Sequence, residues 1–297
     1  MSATLSRGII SPFEKKKASV RILYAVMYLV TAILALAMFY PFVWVLSGAL
    51  KEAKEIYDVT SGLIPDQARW GNFLTAWNAY ELGRTMLNTL WVFAGFLVSK
   101  LLVIVLAAYA LAHLALPARK FIFMIFLSTL LLPTVAYLVP SFLAIMNVPI
   151  FNVSLYDSWW ALWIPAGADS FALLLLKNFF DGIPRDLMEA ARIDGASEVR
   201  TLTRIILPLS KPIIAVLSIF AFLGVWNDFF WTRLVVTSPE KWTVSVSLWY
   251  RSAVVGATQP ANIQLAAMFL AIIPPMIVFL LFQKHITQGV TFSGLKG

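Results

Sequence analysis

The sequence predicts an all-α membrane protein with six transmembrane helices. Three observations lead there. Of 297 residues, 60% are hydrophobic and only 13% are charged, against about 25% charged in a soluble domain. The mean hydropathy is +0.82. Six separate segments approach the roughly 20 apolar residues that a helix needs to cross a bilayer. Inside lipid, a helix satisfies its own backbone polar groups. These features exclude a soluble enzyme, a disordered chain and a collagen-like fibre.

Residues 1–21 are polar and carry Arg7, Lys15, Lys16, Lys17 and Arg21. The run Ile22–Leu50 has 29 residues without a charge. That is too long for the apolar region of a signal peptide, so it is expected to be a retained span, about 22–47. The second span is about 85–113 and is interrupted by Lys100. The third lies within 121–156, which is free of charge and contains Pro133, Pro140 and Pro149. Each proline removes a helix hydrogen bond and predicts a kink. The fourth, about 159–178, carries Asp169. The fifth, about 212–233, opens on Pro212. The sixth, about 262–284, contains Pro274 and Pro275. The membrane domain thus covers 22–285, with a C-terminal tail at 286–297.

Lys and Arg set the orientation. With both termini in the cytoplasm, the inner segments hold fifteen Lys/Arg and the outer loops six. The net charge of +8 is explained by this asymmetry, and no nucleic-acid surface is needed. There is no cysteine, and the two histidines, His113 and His285, are far apart. No metal site is expected. All eleven tryptophans fall in the outer half of this topology. They serve there either as an interfacial belt with packed loops or as flat platforms for sugar rings.

Charged residues inside spans are expensive, at about 2.5–3.5 kcal/mol for a central lysine, and mark candidate sites. Lys100 therefore has two readings. It snorkels or pairs with Asp169 or Asp228, or it faces the bundle interior or a wet cavity. Asp169 is expected to cap a break after Pro165 and Gly167.

The loop 181–211 is too structured for a passive connector. Pro184 suits a first helical position. Asp186 and Arg192 complement the dipole of a short helix, and Gly195 stops it. Ser197 caps a second helix running toward Pro208. Val199, Leu202 and Ile206 form its apolar stripe, with Arg200 and Arg204 on another face. The pair Ala190 and Ala191 allows close approach by another surface.

The stretch EAARIDGASEVRTLTRIILPLSKP, Glu189–Pro212, resembles the EAA loop of ABC-importer permeases. Glu189, Ala190, Ala191, Asp194, Gly195, Ala196, Leu207 and Pro208 all match that pattern. Val199 and Leu202 depart from it, standing where aromatics are common. The run from Phe179 to Ala196, the pair Asn88–Thr89, and Trp226–Phe229 resemble carbohydrate-importer permeases in particular. The ending from Gln283 is similar to the tail of maltose-type second permeases.

The resemblance implies a type I ABC importer permease fold and one subunit of an ATP-driven, binding-protein-dependent oligosaccharide importer in a bacterial inner membrane. It implies a homologous second permease chain, two ATP-binding subunits, and an extracytoplasmic sugar-binding protein contacting the outer loop 48–84. Lys100, Trp226, Asn227 and Asp228 would line the substrate pathway. There Lys100, with Arg233 and Arg251, would suit an anionic sugar such as a uronate oligosaccharide, and Asp228 would bond sugar hydroxyls or neighbouring loops. The EAA residues would couple to the ATPase, and Gly289, Lys296 and Gly297 in the tail would touch it. Mg-ATP would sit on that partner; this chain carries no P-loop sequence and no cofactor of its own. An ion-coupled secondary transporter is the alternative, but no internal repeat supports it. An integral-membrane enzyme would need a clustered catalytic set that the sequence does not offer.

Overall fold

The computed structural model describes residues 18–149, 151–253 and 259–292, with side chains to Lys284. Its regular structure is helical. Among the described residues, strand-like pairing is confined to one bridge between Val148 and Val153.

The apolar N-terminal run forms α1 (Ala18–Leu50). Short helices α2 (Ala53–Ile56) and α3 (Gly71–Ala79) lead into α4 (Leu82–His113). Next come α5 (Arg119–Thr129) and α6 (Leu138–Met146), joined through a tight turn at Thr134–Tyr137. Then follow α7 (Trp160–Trp163), a turn at Pro165–Gly167, and α8 (Ser170–Asp181). The next segment holds α9 (Asp186–Ile193), α10 (Glu198–Thr201), a π-helical turn at Leu202–Ile206, and α11 (Leu207–Leu209). The chain ends with α12 (Lys211–Asn227), α13 (Phe230–Val235), α14 (Val244–Ala253) and α15 (Ala261–Phe292).

Three helices are each long and apolar enough to cross a membrane: α1, α4 and α15 up to Lys284. These match the expected first, second and sixth spans. Two further segments qualify only as bent pairs. The chain bends by 99° around Pro133 and by 77° around Ser210. The expected fourth span is a correction. It is not one helix, because Pro165 and Gly167 interrupt it and Asp169 starts α8 afresh. The twelve residues of α8 rise about 18 Å, short of the roughly 30 Å hydrocarbon core. The last helix also continues past the predicted boundary, to Phe292.

The central element is α4, which packs on α8 and α12, while α1 packs on α15. Each stretch of α4 enters a different apolar cluster. Leu82 joins α12 and α15, Val92 joins α7 and α13, and Ile104–Ala112 joins α8 and the segment after it. By contrast, α1 buries only Ser47, Gly48 and Ala49.

Polar side chains fasten the loops at the N-terminal end of α4. Asn88 Nδ2 donates to the carbonyls of Glu240 (2.7 Å) and Trp242 (3.0 Å). The Thr89 hydroxyl accepts from Val244 N–H at 2.9 Å. Asp157 accepts from the backbone N–H groups of Thr237 (2.9 Å) and Ser238 (2.8 Å), from the Ser238 hydroxyl, and from Lys241. Burial raises the pKa of this carboxyl, but these donors outweigh it and hold the group well below the usual carboxylate range.

A depressed folded-state pKa gives stability that is present above the unfolded value, about 3.9, and is lost as pH falls through the folded value. Asp157→Ala is therefore expected to cost about 1–3 kcal/mol at pH 7. The difference from wild type should shrink as pH falls below about 4. Thermal unfolding of the detergent-solubilised protein checks this; a difference independent of pH would contradict it.

Candidate functional site

The segment after α8 forms a helical hairpin built by local capping. Phe180 and Ile183 are buried where α8 ends. The Pro184 carbonyl accepts from Leu187 N–H, so α9 begins at Asp186, just after the proline rather than on it. Asp186 and Glu189 lie in its first turn and Arg192 in its last, a charge order that favours the helix dipole. Gly195 then takes φ +74°. Gly195 N–H donates to Arg192 O (3.0 Å) and Ala196 N–H to Ala191 O (2.8 Å). This pair of bonds defines a Schellman stop. A Cβ at Gly195 meets nothing within 4 Å, so the demand on that position is its left-handed backbone rather than space. The Ser197 hydroxyl caps α10 by accepting from Arg200 N–H at 3.3 Å.

The faces of the hairpin differ from the sequence expectation at two places. Ala190 is exposed, but Ala191 is buried with Met188 against the body. Neighbouring helical residues point about 100° apart, and the edge of the buried face falls between these two alanines. Val199 is 71% exposed, while Thr201, Leu202 and Ile206 take the inward positions. The outward face of α9 shows Leu187, Glu189, Ala190 and Ile193, the last 87% exposed. Leu207 is half-buried, and Asp194 and Pro208 are exposed.

Two side chains that sequence reasoning missed bind this hairpin to α4. The Tyr109 hydroxyl donates to Glu198 Oε2 at 2.5 Å, and Arg192 Nε donates to Glu198 Oε1 at 3.1 Å. Tyr109 and Glu198 stand 89 positions apart, and no local pattern connects them.

A cavity of about 830 Å³ lies between α4, α5, α8, α12 and α13. Its wall mixes aromatic rings (Phe96, Phe126, Tyr137, Trp231), hydroxyls (Thr129, Thr134, Ser170) and two carboxylates, Asp169 and Asp228. Asp169 caps α8 by accepting from Ala172 N–H at 2.9 Å. It also accepts from Lys100 Nζ at 2.6 Å. Lys100 is only 6% exposed, with its ammonium 5.6 Å from the Phe96 ring centroid. Of the two readings of Lys100, the structure shows the pair with Asp169, behind the cavity wall. Asp228 caps α13, accepting from Trp231 N–H, Thr232 N–H and the Thr232 hydroxyl.

The remaining candidates sit elsewhere. Trp226 is buried between α12 and α15, its indole N–H donating to Ala271 O at 3.1 Å. Asn227 is exposed and bonds back to Leu223 O on its own helix. Arg233 lies over the Trp242 ring, and Arg251 bonds Ala79 O and Glu81. Trp159, Trp163 and Trp242 also donate their indole N–H to backbone carbonyls. For these rings the packing role is the one observed. Gly289 lies on the helical backbone of α15, beyond the described side chains; Lys296 and Gly297 lie outside the described residues.

Residues 104–292 match the profile of a protein family described as "Binding-protein-dependent transport system inner membrane component". The chain belongs to this family. It is a membrane-embedded permease of a binding-protein-dependent transport system, not an enzyme. It is 32% identical to the sn-glycerol-3-phosphate transport system permease protein UgpE of Pectobacterium atrosepticum, over 87% of this chain and 92% of that one. It is 31% identical to the diacetylchitobiose uptake system permease protein NgcG of Streptomyces coelicolor, over 84% and 82%. Its fold matches a chain from the crystal structure of a bacterial ABC transporter involved in importing the acidic polysaccharide alginate. That match has a TM-score of 0.80 and 24% identity, and covers 90% of this chain and 98% of that one. The family match spans both the hairpin and most of the cavity wall.

The Lys100–Asp169 pair holds the permease together at the break before α8. Lys100→Met leaves Asp169 beside apolar neighbours without its cation. Asp169 is about one-third exposed, so the cost is expected below the usual 3–5 kcal/mol for a broken buried pair, at about 1–3 kcal/mol. Adding Asp169→Asn should return part of it, because Asn still caps α8. Thermal denaturation in detergent measures both; a double variant less stable than Lys100→Met would contradict the pairing argument.

Proposed function

We propose that this permease forms half of the pathway of an ATP-driven oligosaccharide importer. It pairs with a homologous second permease, works with two ATP-binding subunits, one of them docked at this chain's cytoplasmic hairpin, and receives sugar from an extracytoplasmic binding protein. The observation that carries this is the outward face of α9. Leu187, Ala190 and Ile193 stand exposed on a helix locked at its end by the Gly195 stop. Exposed apolar side chains on a capped, rigid helix suit docking into a groove of another protein. Glu189 and Arg192 rim that face and would set its register.

Closure of the ATP-bound partner would then push α9. Met188 would pass that push to the apolar cluster holding the last turns of α4. The 32 residues of α4 span about 48 Å, so a movement at Tyr109 reaches Phe96 on the cavity wall and Asn88 beyond it. Binding energy on one side thus becomes a change of shape at the pathway.

The cavity wall supports a hydroxyl-rich ligand. Aromatic rings stack on the C–H faces of sugars, and carboxylates and hydroxyls accept their O–H groups. The relatives named above are described with glycerol-3-phosphate, diacetylchitobiose and alginate, so their cargoes differ in charge. In this chain Lys100, Arg233 and Arg251 are each engaged internally, and the wall carries two carboxylates. Asp169 and Asp228 are engaged as well, so the charges of this half of the pathway give no preference for a neutral sugar over the uronate that Lys100, Arg233 and Arg251 together had suggested.

Purification of the tagged permease from its host in mild detergent is expected to bring an ATPase and a second permease. Gly195→Asp, which forces a side chain into the left-handed region beside the docking face, should stay membrane-inserted but lose the ATPase and transport. Gly195→Asn, which tolerates that backbone better, should keep more of both. A wild-type chain that transports after ATP depletion, on an ion gradient, would overturn the proposal.

A further inference from the structure

Glu198 is the meeting point of three elements. It opens α10, its Oε2 accepts from Tyr109 at the end of α4, and its Oε1 accepts from Arg192 on the last turn of α9. Arg192 Nη2 also lies 3.0 Å from Oε1. Tyr109 is 4% exposed, and its ring edges against His113, which stacks on Phe180 of α8. The phenol is therefore fixed in the body of the protein, while Arg192 and Glu198 are each nearly half exposed. Such a surface ion pair holds little by itself. Its carboxylate becomes an anchor only through the buried hydroxyl, in a short bond to a charged acceptor. α9 itself enters the apolar cluster around α4 through Met188, and Leu202 and Ile206 seat the turn after α10 in the same cluster. Glu198 adds the polar bonds that tie both arms of the hairpin to one point on α4.

We propose that Glu198 is a positioning residue that clamps the hairpin to α4, so that α9, α10 and α4 move as one lever. The inference rests on the hairpin being the ATPase dock. It goes further by naming the bonds through which force leaves the dock. If the Tyr109–Glu198 bond is cut, α9 still binds the ATPase through its outward face, but its movement is absorbed at the hairpin instead of turning α4.

The absence of cysteine in the chain makes the test clean. One pair of spin labels, at Ala190→Cys on α9 and Leu102→Cys on α4, reads the clamp. A second pair, at Leu102→Cys and Ile125→Cys, reads the response of the spans to Mg-ATP with vanadate in the intact complex. Ala190 lies on the proposed dock, so the first pair is read on the permease without nucleotide. Leu102 and Ile125 are exposed and outside the clamp.

Tyr109→Phe, which removes a single oxygen, and Glu198→Ala are each expected to broaden the first distance about two-fold, as for a segment released into local fluctuation. Each should also at least halve the Mg-ATP shift of the second pair, with the ATPase still bound. The double variant should do no more than Glu198→Ala alone, because Glu198→Ala has already removed the bond that Tyr109→Phe removes. A first distance of wild-type width in Tyr109→Phe, or a full Mg-ATP shift in both variants, overturns the clamp. If no ATPase accompanies the wild-type permease, the docking proposal fails instead, and the width of the first distance still decides whether the clamp exists.

Discussion

Inside an apolar layer, every backbone N–H released by a helix break must find an acceptor in the protein. Much of this structure follows from that constraint. The chain breaks its helices repeatedly within the segments expected to cross the membrane. At two breaks the acceptor is an aspartate: Asp169 takes the N–H of Ala172, and Asp228 takes those of Trp231 and Thr232. An intramembrane carboxylate invites a functional reading. Here its first task is to begin the next helix. The charge it brings is costly unless paired, and Lys100, equally costly alone, offsets it at 2.6 Å. Two residues that look anomalous separately are one solution to a single broken helix.

The same breaks create the cavity. Had the segment 159–181 formed one straight helix, it would have packed along α4 and closed the space. Instead Gly167, with a Cβ position inside the Val103 side chain, lets the turn after α7 press against α4. Asp169 then redirects the chain. The cavity wall is thus made of helix ends and caps, which explains its mixture of rings, hydroxyls and carboxylates. Along the other edge of that wall, α4 stays unbroken and carries contacts at every level. Arg84, Asn88 and Thr89 hold the 239–244 loop, Phe96 faces the cavity, and Tyr109 reaches the hairpin.

Features set by local sequence were legible; those set by distant pairings were not. Long apolar runs located α1, α4 and α15, because length and apolarity are properties of the segment itself. The hairpin was readable for the same reason: Ser197 and Gly195 act on backbone groups three or four residues away, so their positions carry the information. The fourth span misled because its apolar content is that of a crossing helix, while Pro165, Gly167 and Asp169 divide it. Ala190 and Ala191 read as one surface in sequence but point apart in a helix, and only the location of the body shows which is buried. Val199 fell off its stripe because Thr201 and Leu202 occupy the inward turn. The partners of Tyr109 and Asp157 lie about 80 residues or more along the chain, beyond any periodicity.

The exposed residues of the hairpin bear on why such a segment exists. A solvated connector of this size needs no stop as rigid as the Gly195 turn, and gains nothing from Leu187, Ile193 and Val199 standing in water. Each is an apolar side chain more than two-fifths exposed on a loop that buries Ile183, Met188, Ala191, Leu202 and Ile206. Lipid does not account for them as a group, because Glu189, Arg192, Asp194, Glu198 and Arg200 are interleaved with them, and the stripe of Leu187, Ala190 and Ile193 is confined to the eight residues of α9. A protein groove accommodates that pattern, seating the apolar residues in its floor and the charges at its rim. The stiffness of the hairpin then has a purpose. A flexible loop would bind the same groove and lose the ordering entropy on docking, but it would transmit no displacement. Caps at both ends of the turn and a carboxylate tied to α4 are what a segment needs if it must carry force as well as bind.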